Sequence, residues 1–518
     1  MMRASVLGLV TIVACGGDDN APPPSLAERL TALGATPCAD LAGWSCVTLA
    51  MPRDHAAPDG ATLDVTFAVK PATGAPADHL GLLVTAQGGP GYSGLAWADD
   101  FAWIDPRLAE RFDAVAFDLR GLFASGELDC PAAANAWFTQ RWRGATVDER
   151  AAVAVAAATF ATDCVAELGV TPDDLAVYRT SQAVADLDAF RAALDEPQLT
   201  LYGLSYGTQF VQTYATAYPA QTRALAVDGV VDLTLTDQAY ATQVVTTQND
   251  VLAQTLDACA AQPACAAAFA GDPAAGLAAV TAELDAGPVP VTIDVDGVPT
   301  ERSFSRGDLD IVAYIQLDNP EGRVALLHGL ADAALGDYTT LLGQLYEVWF
   351  DATTLDYLAD ETYADAGYYL YTCNDYGHAP GADVPAQQAA WLAAGADLAA
   401  DPTQVVLQAH GGDLPCTTWP SDAVQPARPA AYAAPAPTLF INAGADTATP
   451  VVQGRAMAST LRAAGAPVTS IDVTGGHHVM FGTDDACVDA ATTTFLLDPV
   501  AQAAVAPTTC DHPLLAAF

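Results

Sequence analysis

The apolar run Leu199 to Tyr202 leads directly into Gly203-Leu204-Ser205-Tyr206-Gly207, and the residues beyond it read as a helix. A Gly-x-Ser-x-Gly sequence between a strand and a helix constrains the fold more than any other feature of the chain. The serine of such an elbow sits in a strained backbone conformation that only small neighbours tolerate. The strain lifts its hydroxyl clear of the sheet, which makes Ser205 a candidate nucleophile. In a chain with 40 glycines among 518 residues the pentapeptide also arises by chance, so its partners must carry the reading.

An oxyanion hole needs backbone N–H groups from a second loop. Upstream, the strand-like run Gly81 to Thr85 ends in Gln87-Gly88-Gly89-Pro90-Gly91, where glycine lets the backbone approach a substrate carbonyl. The N–H of Tyr206 and one from Gly88 or Gly89 are therefore expected to hold the oxyanion, at about 3 to 4 kcal/mol per donor. Late in the chain, the strand-like run Thr438 to Asn442 opens into Ala443-Gly444-Ala445-Asp446, and the run Val468 to Val473 opens into Thr474-Gly475-Gly476-His477-His478. The order serine, acid, histidine makes Asp446 the expected acid and His477 the expected base. His478 competes with His477 for the base, and Asp228 of Val227-Asp228-Gly229-Val230 is a rival acid. All three groups are needed, because a serine hydroxyl attacks only when an imidazole accepts its proton and a carboxylate fixes that imidazole's tautomer.

Taken together, Gln87 to Gly91, Phe117-Asp118-Leu119-Arg120-Gly121, Tyr202 to Thr208, Tyr218-Pro219, Asp228 to Val230 and the Gly476-His477 loop resemble the α/β-hydrolase family of secreted tripeptidyl aminopeptidases and proline iminopeptidases. The resemblance spans nearly the whole mature chain. It is closest to the tripeptidyl aminopeptidase branch, through Cys416-Thr417-Thr418-Trp419-Pro420, the Asp446 to Pro450 stretch, and Cys487 after the histidine loop. It implies an α/β-hydrolase fold with a mostly parallel sheet and an inserted, mainly helical cap. It also implies the triad roles for Ser205, Asp446 and His477, no cofactor, and release of short peptides from a free N-terminus. Two departures bear on the acyl pocket. Gln87 stands where Asn, Pro or His is usual before the glycines, and Asp-x-Arg-Gly-x-Gly-x-Ser has become Asp118 to Ser125 without its later glycine.

The length leaves room for an insert between Ser205 and Asp446. From about Leu233 the chain turns Ala-rich with helical periodicity, as in Gln238 to Leu256 and Leu277 to Leu284, interrupted by a strand-like piece from Val289 to Val298. The expected organisation is a lipoprotein signal peptide over 1–14, a flexible tether over 15–35, hydrolase core over 36–232, helical cap over 233–365 and core again over 366–518. A peptidase that trims N-termini needs a carboxylate for the substrate's ammonium group. Glu361, Asp365 and Asp375, on the way back to the core, are the candidates.

At the N-terminus, Arg3 precedes a short apolar stretch ending in Ile12-Val13-Ala14-Cys15, which resembles a bacterial lipobox with Cys15 as the lipidated residue. An exported lipoprotein, periplasmic or at the cell surface, follows, touching membrane only through that anchor; no later segment reads as long and apolar enough to span. The other ten cysteines suggest a disulfide framework of sequence neighbours: 38 with 46, 130 with 164, 259 with 265, 373 with 416 and 487 with 510. No ligand spacing points to a metal, and the adjacent His477 and His478 are poor geometry for one ion. A net charge of -43 argues against nucleic-acid partners. The expected protein is a monomeric serine aminopeptidase acting on short peptides. The alternative is a carboxylesterase of the same fold, which needs the triad but no amine-binding carboxylate.

Overall fold

The computed structural model describes residues 24–101, 105–376, 383–407, 409, 412–421, 436–483 and 485–518. The expected signal peptide, the lipobox and Cys15 lie outside them. Ten strands make the main sheet: β1 (Thr36–Pro37), β2 (Ser45–Pro52), β3 (Thr62–Lys70), β4 (Leu82–Ala86), β5 (Asp113–Phe117), β6 (Leu199–Leu204), β7 (Thr222–Asp228), β10 (Thr438–Ala443), β11 (Val468–Thr474) and β12 (Thr508–Asp511). Their spatial order is β1-β2-β3-β5-β4-β6-β7-β10-β11-β12. Pairing is antiparallel from β1 to β5 and parallel from β5 to β12.

Helices cover both faces of the parallel part, so its strands are apolar runs without polar alternation, and every residue of β6 and β10 is buried. Parallel strands point the same way. The loops after β4, β6, β7, β10 and β11 therefore all emerge at one edge of the sheet, which is where such sheets bind ligands. Those loops begin at Gln87, Ser205, Gly229, Gly444 and Gly475. This topology brings together segments separated by hundreds of residues.

Between β7 and the helix Asp365–Tyr376 lies a mainly helical insert with its own core, including Leu256, Leu277, Leu309, Leu326 and Leu341. Its first helix is Asp237–Ala261, longer than the sequence pattern suggested. The piece expected as one strand is a hairpin, β8 (Val289–Val295) and β9 (Val298–Phe304), turned at Asp296-Gly297. Both turn residues have positive φ, 53° and 81°, as a tight hairpin of this type requires.

Two further expectations need correction. The last part of the expected tether is folded, because Leu26–Ala32 is a helix whose Ser25 and Glu28 form a reciprocal capping box and whose Leu30 is buried. Two later stretches, Val147–Leu168 and Pro263–Ala286, do reach the length and hydropathy of a membrane span. Val147–Leu168 buries Val153, Ala157, Phe160 and Ala161 against the core, which accounts for its apolar composition. The five disulfides are closed in the pairs the cysteine spacing suggested.

Candidate active site

Ser205 sits between β6 and the helix Tyr206–Ala217 with φ 54° and ψ -124°, a conformation that non-glycine residues adopt only where surrounding structure enforces it. Packing around it explains the flanking glycines. A Cβ at Gly207 would overlap the carbonyl of Ala86 at the end of β4, and one at Gly203 would overlap the backbone of Gly207. On the other side, a Cβ at Gly88 would lie 3.0 Å from that of Ser205. The Gln87–Gly91 turn is thereby pressed against the serine. Tyr206, as the first residue of its helix, has an N–H with no intrahelical acceptor.

Asp446 is almost wholly buried and accepts from the N–H of Ala448 (2.9 Å), the N–H of Thr449 (2.7 Å) and the Thr449 hydroxyl (2.7 Å). Its fourth partner is the Nδ1 of His478, 3.1 Å from both carboxylate oxygens. This corrects the preference for His477. The His477 ring is engaged elsewhere: its Nδ1 meets the carbonyl of His478 at 3.0 Å and it packs T-shaped with the ring of His512. With Nδ1 engaged by Asp446, the Nε2 of His478 is left for a proton from elsewhere.

Asp228, the rival acid, does different work. Its carboxylate accepts from the N–H groups of Met480 (2.9 Å) and Phe481 (2.8 Å), while its carbonyl accepts from the N–H of Ser205 (2.9 Å). Gly229 follows at φ 64°, and a Cβ there would sit 2.9 Å from Cε1 of His478. The dipeptide Asp228-Gly229 thus touches the serine backbone, the His478 ring and the strand of chain beyond it. Val479, just after His478, has φ 61°, a costly conformation for a β-branched residue, and the two bonds to Asp228 hold the chain that follows it. Sequence reasoning saw Asp228 only as a competitor for the acid.

Buried charge sets the electrostatics. Burial lowers the pKa of the His478 imidazole, but the carboxylate of Asp446, then Asp318 and Asp228, outweigh it and push it up to about 9. Burial raises Asp446, and the charge and hydrogen bond of His478 with those of Thr449 bring it below the usual range. Asp228 is pushed up to about 6 by burial despite its two N–H donors.

The guanidinium of Arg323, on the insert's helix Pro320–Ala333, is fully buried and donates to five carbonyls: Leu317, Asp318, Ala445, Gly476 and Leu514. Ala445 precedes the acid and Gly476 precedes the histidine pair. One cap side chain therefore ties both loops.

A narrow cleft of about 40 Å³ opens on Ser205, walled by Gly89, Pro90, Tyr206, Gln209, Val231, Tyr240, Tyr368, Thr372, Tyr376 and Asp413. Of the carboxylates expected to bind an amine, none is among these walls. Glu361 is exposed. Asp365 is buried beside the Tyr357 hydroxyl and pushed up to about 7 by burial and then by Asp129. Asp375 lies one residue behind the cleft, accepting from Gln209 Nε2 (2.8 Å) and from the N–H and hydroxyl of Thr180. The wall instead holds Asp413, in a stretch without periodicity that the sequence reading passed over.

The sheet order, the elbow serine and the paired acid and imidazole define an α/β hydrolase, and the sequence agrees: residues 81–256 match the α/β hydrolase fold family and residues 406–510 the TAP-like protein family. The chain is an α/β hydrolase with a TAP-like C-terminal segment. It is 37% identical over 197 residues to the serine protease Hip1 of Mycobacterium tuberculosis, covering 37% of this chain and 36% of that protein. It is 31% identical over 193 residues to the tripeptidyl aminopeptidase of Streptomyces lividans, covering 36% of this chain and 35% of that protein. The matching stretch thus spans little more than a third of the length of these relatives. Among solved structures, proline iminopeptidase from Mycobacterium smegmatis aligns over 87% of this chain and 97% of its own, at 13% identity and a TM-score of 0.37.

Proposed function

We propose that this protein is an exported serine exopeptidase that releases short peptides or amino acids from the free N-terminus of peptides through an acyl-enzyme on Ser205. The reading is carried by one observation: His478 is paired with Asp446 while its ring and the Ser205 backbone flank the same Asp228-Gly229 turn. In this reading Nε2 of His478 takes the hydroxyl proton as Oγ bonds to the scissile carbonyl carbon. The N–H groups of Tyr206 and Gly88 or Gly89 hold the oxyanion. Collapse of the tetrahedral species breaks the C–N bond, and the imidazolium returns its proton to the leaving amine. Water then repeats the sequence, freeing the acyl fragment and restoring the serine. No cofactor enters these steps.

The likeness to a tripeptidyl aminopeptidase and to a serine protease supports peptides as substrates. Five disulfides fit an oxidising compartment, and a lipid on Cys15 would anchor the protein there. The test is a panel of free and N-acetylated peptide anilides and simple esters, with Ser205→Ala as control. Cleavage of free-amine peptides, lost on N-acetylation and in Ser205→Ala, is expected. Turnover of esters alone would make the protein an esterase instead.

A further inference from the structure

We propose that Tyr363, on the segment that leads out of the insert, is a positioning residue for the oxyanion hole, its ring pressing the Gln87–Gly91 turn into place beside Ser205. This rests on the acyl-enzyme reading above and names what sets the geometry of its oxyanion donors. Three of the turn's five residues are glycines, and Gly89 and Gly91 have φ 106° and 153°. Glycine permits such torsions but does not enforce them. A hole that stabilises developing charge must be fixed before the reaction begins, so the turn has to be held from outside. Ser205 meets it at Gly88, where a Cβ would lie 3.0 Å from that of the serine. Tyr363 meets it at the other two glycines: a Cβ at Gly89 would lie 3.1 Å from Cε2 of the ring, and one at Gly91 only 2.8 Å.

Backbone pairing fixes the ring against the turn. Tyr92 and Tyr363 face each other in an antiparallel bridge, in which the N–H of Ala364 donates to the carbonyl of Gly91 (3.0 Å) and the N–H of Ser93 to that of Thr362 (2.9 Å). Their rings pack with centroids 4.7 Å apart. Both sides of the bridge are anchored in turn. The Ser93 hydroxyl donates to the buried carboxylate of Asp118 (2.8 Å), while the carboxylate of Asp360 accepts from the N–H and the hydroxyl of Thr362 (2.8 Å each) and its carbonyl from the N–H of Tyr363 (3.0 Å). The helix that begins two residues later, Asp365–Tyr376, carries Tyr368, Thr372 and Tyr376 to the cleft wall. One strap from the insert therefore braces the oxyanion turn and the cleft wall together. Its contacts with Gly89 and Gly91 come from the ring carbons Cε2 and Cζ, which phenylalanine shares and leucine lacks.

The test compares Tyr363→Leu, Tyr363→Ala and Tyr363→Phe with the wild type in phosphonylation of Ser205 by a fluorophosphonate. In that reaction Oγ displaces fluoride from phosphorus, His478 takes the proton, and the phosphonyl oxygen occupies the hole. The end-point counts folded, competent sites, and the rate reports the hole. Tyr363→Leu and Tyr363→Ala are expected to reach the wild-type end-point about 10²-fold more slowly, with Tyr363→Phe within about threefold of the wild type. On a p-nitrophenyl ester the same two variants should lose kcat by a similar factor while KM changes by less than about threefold. Loss of labelled sites without slower labelling of the rest, total loss included, would mark a folding role and overturn the proposal. So would an unchanged rate, or a Tyr363→Phe variant as slow as Tyr363→Leu. Because the probe contains no peptide, a wild type that is labelled yet cleaves no peptide sinks only the exopeptidase reading, whereas a wild type left unlabelled at Ser205 sinks both. Labelling and peptide cleavage that are indifferent to Tyr363→Leu sink the role of Tyr363 and leave the exopeptidase reading standing.

Discussion

At the scale of single residues, two adjacent histidines separate by what they touch. His478 holds Asp446 through Nδ1, whereas His477 offers only a bond to a backbone carbonyl. His478→Ala should therefore lower kcat by about 10⁴-fold or more, and His477→Ala by less than about tenfold, in steady-state assays on a peptide anilide. Similar losses in both variants would reject the assignment. The pH dependence follows from the same environment. The imidazole must be neutral to accept the serine's proton, and its pKa is raised to about 9, so activity is lost as pH falls through that value. The acidic limb of kcat/KM should therefore lie well above 6.5, the ordinary histidine value. Asp318→Asn removes a negative charge that helps raise it, so the limb should move to lower pH. A neutral ester substrate keeps amine titration out of the profile, and a limb that stays put in Asp318→Asn would refute the argument. The sequence showed that one of two histidines faces the acid, but not which one, because the choice depends on loop torsions such as the positive φ of Val479.

At the scale of elements, the four strands that lead into the glycine turn, the serine, the acid and the histidine loop were legible because each is an apolar run that opens into a glycine-containing loop, and a parallel sheet aligns all such ends, whereas β1, β2, β3, β5, β7 and β12 were not read as strands. The hairpin β8–β9 was missed although Asp296-Gly297 is a strong turn signal between its strands. Reading 289 to 298 as one piece carried the strand across its own turn. Asp413 and Arg323 left no local pattern at all, since both meet partners in distant segments. Arg323 makes the cap part of the active site's frame. Replacing it with Met leaves the carbonyls of Ala445, Gly476 and Leu514 without their donor, at a cost of roughly 3 kcal/mol or more in urea unfolding. Below the melting point of both proteins, kcat should still fall by about 10²-fold, because the acid and histidine loops lose a common anchor. Arg323→Lys restores charge but not five directed donors, and should recover only part of the rate. A Met variant that is destabilised yet has full kcat would make Arg323 a stability residue alone.

At the scale of the whole molecule, 62 acidic residues face 19 basic ones, so a net charge of -43 remains however the pairs are drawn. Several arginines are spent inside: Arg120 on Asp186, Arg306 and Arg143 on Asp310, and Arg323 on carbonyls. Those cations bind segments together, but they are unavailable to neutralise carboxylates at the surface. The folded state therefore concentrates like charge that the unfolded chain spreads out, and self-repulsion lowers its stability. Added salt screens exposed charges over a Debye length of about 10 Å at 0.1 M and about 3 Å at 1 M, while buried pairs such as Arg120 with Asp186 are screened far less. Salt should thus relieve the repulsion more than it weakens the internal clamps. The melting temperature is expected to rise by several degrees between dilute buffer and about 1 M sodium chloride, with most of the gain at the lower concentrations, where the Debye length shortens fastest. A melting temperature that is flat or falling across that range would mean that the surface carboxylates lie too far apart, or too well solvated, for their repulsion to limit the fold.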